Sequence, residues 1–255
     1  MNAPAAPSPK ELVTIRNLKT YFPVRRGVFS RVHGYIRAVD GVSLGVREGE
    51  TLGLVGESGS GKTTLGRTIL GLERIHAGDV LFRGESIRRW GPRAWRRRRP
   101  EMQIIFQDPF ASLNPRMAVM DMITEGLVQH GRLEESRESA AARLMEDVGL
   151  ESDLMYRYPF EFSGGQRQRI SIARAISLRP RFIVCDEPVS ALDVSIQAQV
   201  INLMSDLREK YGLTYLFISH DLSVVRHIAD RIAVMLEGQI VEEGETERVI
   251  REPSH

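Results

Sequence analysis

The sequence predicts an α/β fold with a helical segment inserted into it. Short apolar runs recur along the chain and lead into polar or Gly-rich residues, as buried strands do when their carboxyl ends carry a site. Between residues 108 and 162 no such run appears, and helical patterning takes over. Gly56-Glu57-Ser58-Gly59-Ser60-Gly61-Lys62-Thr63 lies between an apolar run and a helix-patterned stretch. Strand, Gly-rich loop and helix in that order are the context that the phosphate-loop pattern G-x-x-x-x-G-K-[ST] requires.

Taken in order, residues 1–11 form an Ala- and Pro-rich head that reads as disordered, and without an apolar core they are neither signal peptide nor anchor. Leu12–Leu18 and Ile36–Val46 read as strands with partial alternation, and the stretch around Gly27–Gly34 as a loop. Thr51–Val55 is a short apolar run entering the phosphate loop. Thr63–Leu72 follows with Leu65, Ile69 and Leu72 at helical spacing and closes near Gly71. Ile104-Ile105-Phe106 is another buried-strand candidate. Glu134–Val148 is the clearest helix of the insertion, acidic at its start and closed by Gly149. Ser163–Leu178 reads as a helix with Ser163 as N-cap and Pro180 just past its end. Arg181–Cys185 and Thr214–Ile218 are short apolar runs. Arg231–Leu236 and Gln239–Glu242 read as a hairpin through Glu237-Gly238.

Composition narrows the class. With 255 residues the chain can bury a large core, and a net charge of +2 is too small to argue for nucleic acid. No apolar run approaches the roughly 20 residues needed to span a bilayer, so service to a membrane would require docking on another chain. One cysteine, Cys185, excludes an internal disulfide framework and fits a reducing cytosol. Arg93-Ala94-Trp95-Arg96-Arg97-Arg98-Arg99 reads as a solvated helix face rather than a nucleic-acid or lipid site.

The phosphate loop divides its labour by residue type. Glycines let backbone N–H groups turn toward phosphate oxygens, and the following helix offers its positive end. Lys62 should reach the β- and γ-phosphates, and the Thr63 hydroxyl should bind Mg²⁺. Thr64 completes the loop's nucleotide-binding set. Asp186 and Glu187 follow the run Phe182–Cys185. Beside a phosphate loop the first acid would hold Mg²⁺ through water, and the second would polarise the attacking water. Ser163-Gly164-Gly165-Gln166 repeats the anion-binding logic at a second helix start. Two such ends, far apart in sequence, suggest ATP clamped between two copies of the chain.

Together these motifs, in this order, make the chain resemble the nucleotide-binding subunits of ATP-binding-cassette (ABC) transporters. The resemblance covers nearly all of the chain. It implies a P-loop NTPase (RecA-like) core with an N-terminal antiparallel β subdomain and a helical subdomain near 108–162, inside one ATPase domain spanning 12–255. It implies that Gln107 is the Q-loop glutamine contacting Mg²⁺ or water, Asp193 the D-loop aspartate and His220 the switch histidine. Phe22, with Tyr21 as adjacent contender, corresponds to the aromatic that stacks on adenine.

Ile105-Phe106-Gln107-Asp108-Pro109-Phe110-Ala111-Ser112-Leu113-Asn114-Pro115 is similar to the oligopeptide, dipeptide and nickel importer cassettes. So are Phe162–Arg169 and Glu187–Ser195. Members of that group usually continue past Pro253-Ser254-His255 with a Pro-Tyr-Thr segment and a tail. The resemblance thus implies an ATPase using ATP and Mg²⁺ on the cytoplasmic face of the inner membrane. Its partners would be a second cassette, identical or paralogous, and two transmembrane permease subunits. The alternative it leaves open is a soluble ABC ATPase of a phosphonate-degradation complex.

Overall fold

The computed structural model describes residues 10–26 and 31–254. Chain order begins with β1 (Glu11–Arg26) and β2 (Arg31–Arg47), which pair antiparallel with several register shifts. Val13 and Ile15 on β1, and Val42, Leu44 and Val46 on β2, are buried at the two-residue period of a half-covered sheet. Both strands outrun their sequence reading, since each register shift lets the hairpin bend and keep pairing. The loop expected from Gly27 to Gly34 falls partly outside the described residues, and its residues 31–34 belong to β2. Of the expected disordered head, residues 1–9 also lie outside them, while Glu11 already opens β1.

Next come β3 (Thr51–Val55), buried throughout, and α1 (Lys62–Ile69). β4 (Ala77–Phe82) pairs with β1, and β5 (Glu85–Ser86) returns along β4. α2 (Pro92–Arg98) opens with proline in its first turn, where a missing N–H costs nothing. Arg93, Arg96 and Arg97 of the basic run are solvent-exposed. Two further members are structural: Arg98 bonds Glu85 and Glu101, and Arg99 lies over Trp95 and donates to the Leu70 carbonyl.

β6 (Met102–Ile105) precedes a wholly helical stretch of α3 (Pro109–Ser112), α4 (Val119–Gln129), α5 (Arg137–Asp147) and α6 (Gly164–Ile176). The helix read from Glu134 starts at Arg137, because the Ser136 hydroxyl accepts from Ser139 N–H and sets the N-cap there. Ser163 and Gln166 form a reciprocal capping box that opens α6. The chain closes with β7 (Phe182–Asp186), α7 (Val194–Tyr211), β8 (Thr214–Ser219), α8 (Leu222–Ile228), β9 (Arg231–Leu236), β10 (Gln239–Glu245) and α9 (Thr246–Arg251).

Two sheets result: β2-β1-β4-β5, antiparallel, and β10-β9-β3-β8-β7-β6, parallel except at β10. The parallel sheet carries an apolar cluster on each face, one shared with α4–α7 and one lying between it, α1 and the antiparallel sheet. Parallel pairing aligns the strands' carboxyl ends. Val55 pairs with Ser219, Asp186 with Ile218, and Ile105 with Cys185. Residues just beyond those positions therefore meet, although they lie as far apart as 56 and 220 in sequence.

Candidate active site

The phosphate loop is packed between the two sheets. Gly61 has φ +106°, and a Cβ there would stand 1.9 Å from the Ala38 carbonyl oxygen of β2. A Cβ on Gly56 would stand 2.1 Å from the Met235 carbonyl oxygen of β9. Neither approach leaves room for a side chain. The far side of the loop is tied to the β9–β10 turn, where Gly238 N–H donates to the Ser60 carbonyl at 2.9 Å. Gly238 in turn accepts from Asp40 N–H of β2 at 2.8 Å.

Lys62 curls into the loop. Its ammonium donates to the Gly56 and Glu57 carbonyls, both at 2.8 Å, and only 5% of the residue is exposed. An ammonium has three hydrogens, so one remains for a ligand. Burial lowers the Lys62 pKa, while the nearby Glu187 and Asp186 carboxylates oppose that shift. Thr63 Oγ1 donates to Asp186 at 2.7 Å. Asp186 is 3% exposed, and burial raises its carboxyl pKa against the opposing Thr63 hydrogen bond and the Arg67 charge. Cys185, beside it, is fully buried with its thiol pKa pushed up by desolvation, which leaves it inert.

Glu187 gathers the rest. Its Oε2 accepts from Gln107 Nε2 at 3.1 Å and lies 3.1 Å from His220 Nδ1. The backbone at Glu187 is left-handed, φ +48°, and its N–H donates to the Ile218 carbonyl at 3.0 Å. A non-glycine residue in that region costs about 1–3 kcal/mol, and such strain concentrates at working sites. Here it points the carboxylate between the ends of β6 and β8.

A cavity of about 630 Å³ opens over this arrangement, lined among others by Lys62, Thr63, Thr64, Gln107, Glu187 and His220. Ser58, Gly59 and Gly61 also line it, whereas Gly56, Glu57, Ser60 and Asp186 do not. Five lining residues escaped the sequence reading: Ile36, Arg37 and Ala38 on β2, and Glu237 and Gly238 at the β9–β10 turn. The turn itself was legible; its approach to the phosphate loop was not.

Phe22 does not line the cavity. It sits on β1 opposite Ile36, which does line it and is 60% exposed. Tyr21 is engaged elsewhere, donating to Asp40 and packing its ring 4.7 Å from His76. Ser163, Gly164, Gly165 and Gln166 also lie outside the cavity, as does Asp193. The Ser163 hydroxyl is occupied by Gln166 N–H, and the Gln166 side chain by Ser163 N–H. A Cβ on Gly165 would meet Ile196 Cγ2 at 2.6 Å, so that glycine also permits α6 to approach the start of α7.

The donors fit Mg²⁺, a hard cation that prefers oxygen and needs only one or two carboxylates plus substrate phosphates. Thr63 and Asp186 present a hydroxyl and a carboxylate already 2.7 Å apart, and the carboxylate lies in a site where desolvation rewards a counter-charge.

Comparison with known proteins identifies the family and the fold. Residues 39–190 match the family described as ABC transporter. The oligopeptide transport ATP-binding protein OppF of Lactococcus lactis is 48% identical over 96% of this chain and 77% of its own length. The dipeptide transport ATP-binding protein DppF of the same species is 52% identical over 97% of this chain and 78% of its own. Among solved structures, the ATP-binding cassette MJ0796, a dimer in a post-hydrolysis state bound to ADP and Pi, superposes with a TM-score of 0.80. It is 27% identical over 92% of this chain and 98% of that one. The motifs, the fold and these relatives lead to one conclusion: the chain belongs to the ABC transporter family and has the fold of its ATP-binding cassette.

Proposed function

We propose that this chain hydrolyses ATP to power a prokaryotic importer of oligopeptides, dipeptides or similar small solutes. The observation that carries the chemistry is the convergence of Gln107 and His220 on one oxygen of Glu187, beside Lys62. The solute class is supported by the names of relatives at 48% and 52% identity.

In this reading the loop from Gly56 to Thr64 cradles the phosphates with backbone N–H groups, and the free hydrogen of Lys62 reaches the β- and γ-oxygens. Thr63, Asp186 and Gln107 would hold Mg²⁺. The ion, when bound, neutralises phosphate charge that builds up during transfer. Glu187 takes a proton from water as the water oxygen bonds to the γ-phosphorus and the bond to the β–γ bridging oxygen breaks, leaving ADP and phosphate. His220 and Gln107 hold the carboxylate in position. Ile36, paired with Phe22 across the β1–β2 ladder, would form the wall nearest the adenine.

The end of α6 at Ser163–Gln166, together with Asp193, serves the site of a second copy or paralogue, so that two ATPs close a dimer. The helices from 108 to 162 form a subdomain within a single ATPase domain, 12–255, and contact two permease subunits. No helix among the described residues is long and apolar enough to cross a membrane, and the assembly would hold the chain on the cytoplasmic face. Tagged Glu187→Gln chain, loaded with ATP and retrieved from native membranes, should bring down two multi-span membrane proteins. Recovery of soluble enzymes alone would refute the importer role and leave the ATPase chemistry intact.

A further inference from the structure

A second cavity, of about 450 Å³, adjoins the first, and Thr63 and Gln107 line both. Its remaining walls include Arg67 of α1, Asp186 of β7, Asp108 and Ala111 at α3, and Arg174 of α6. The partition between the two spaces contains two side-chain hydrogen bonds. Thr63 to Asp186 is half-buried and short at 2.7 Å, whereas Gln107 to Glu187 is solvent-exposed and 3.1 Å long. Of the two, the exposed bond is the more readily exchanged for one to water. A rotation of Gln107 would therefore join the cavities while Thr63 and Asp186 stay in place.

The charges facing the second cavity are not equally engaged. Asp186 is held by Thr63 and faces the positive charge of Arg67. One oxygen of Asp108 accepts from the N–H groups of Phe110 and Ala111. Arg174 spends one nitrogen on the Ser112 carbonyl at 2.9 Å, and its paired carboxylate, Glu125, lies 4.0 Å away. A guanidinium has five N–H donors, so most of those on Arg174 are free for an anion.

We infer that this second cavity is the exit route of the phosphate product, with Gln107 as its gate and Arg174 as the cation that draws the anion through. The inference rests on the hydrolytic reading above. After cleavage, phosphate lies beside Glu187 and Gln107, with ADP on one side. In a closed two-copy assembly the partner's α6 covers the mouth of the first cavity. Leaving by the mouth would then require the dimer to part, whereas the route past Gln107 lies within one chain. Phosphate is a multiply charged anion, and a cation whose carboxylate partner stands 4.0 Å away keeps attraction for it.

The test compares, in a single turnover of the full chain with Mg-ATP, phosphate formed (acid quench) and phosphate free (a fluorescent phosphate-binding sensor). Ala111→Glu adds a negative charge to the route without removing a side-chain bond, Ala111→Gln controls for bulk, and Arg174→Gln removes the cation. Hydrolysis should proceed at the wild-type rate in all three. Free phosphate should lag about ten-fold in Ala111→Glu and Arg174→Gln, and less than about two-fold in Ala111→Gln. Free phosphate that tracks hydrolysis as in the wild type, in both charged-site variants, overturns the route alone. A wild-type chain that forms no phosphate overturns the route together with the hydrolytic reading beneath it.

Discussion

Replacing Glu187 by glutamine separates the chemistry of the site from its architecture. The amide is close in size to the carboxylate, and its oxygen can still accept from Gln107 and face His220, the two contacts made at 3.1 Å. Loss of the charged component of one exposed hydrogen bond and one carboxylate–imidazole contact should cost at most about 1 kcal/mol, which moves Tm by no more than about 4 °C in a chain of this size. Loss of the proton acceptor is larger. A positioned general base contributes about 10²- to 10⁴-fold, or about 3–5.5 kcal/mol of barrier. The glutamine variant should therefore lose at least about a hundred-fold in kcat at saturating Mg-ATP while melting like the wild type. Its ATP affinity should hold or tighten, because a negative charge beside Lys62 is gone. Steady-state phosphate release, equilibrium nucleotide binding and a thermal melt together decide the matter. A variant that retains more than roughly a tenth of the wild-type rate refutes the base assignment. A comparable loss of rate accompanied by a fall in Tm well beyond 4 °C assigns Glu187 a structural role instead.

Other consequences concern packing and pH. Among the described residues, both polar atoms of the fully buried Gln168 side chain lack partners, so Gln168→Met should stabilise the fold by about 1–2 kcal/mol in urea titrations. Gly165→Ala should destabilise by about 1–3 kcal/mol through contact with Ile196, and a smaller residue at 196 should restore part of the loss. Asp186, with its pKa raised above the ordinary 3.8 by burial, favours the protonated form in the fold. Its contribution is fully present below that pH and is lost as pH rises through the folded-state value. In Mg²⁺-free buffer Asp186→Asn should therefore be more stable than the wild type at neutral pH, with the difference shrinking toward pH 4; an equal urea midpoint at pH 7 would contradict this.

The parts of the molecule legible in sequence are those encoded locally. The phosphate loop, the Ser163 cap of α6 and the Glu237-Gly238 turn each depend on residues within a few positions of one another. The central strands β3, β7 and β8 were visible as apolar runs, because strands buried on both faces need continuous hydrophobicity. β4 was missed: only Val80 and Phe82 in it are buried, too short an alternation to register. α7 was missed because its buried residues, Val200, Ile201, Met204 and Leu207, occupy only the middle of a long polar helix. Gln107, Glu187 and His220 were named one by one from family resemblance. Their meeting at a single oxygen follows from the order β8-β7-β6, which no local pattern specifies. The cavity walls at Ile36 and Arg37 depend on a crossing between two sheets and were equally invisible.

The lock between the phosphate loop and both sheets has a mechanical meaning. Ala38 on β2, Gly61 in the loop and Gly238 at the β9–β10 turn meet at backbone level, with no side chain interposed as a cushion. Backbone contacts of this kind do not yield as a flexible side chain would. Motion of the antiparallel sheet relative to the parallel core would be felt directly at this loop, where the nucleotide is proposed to bind. The loop thus works as a splint as well as a cradle, and ligand-induced stiffness there would be felt by the whole molecule on both sides of the joint.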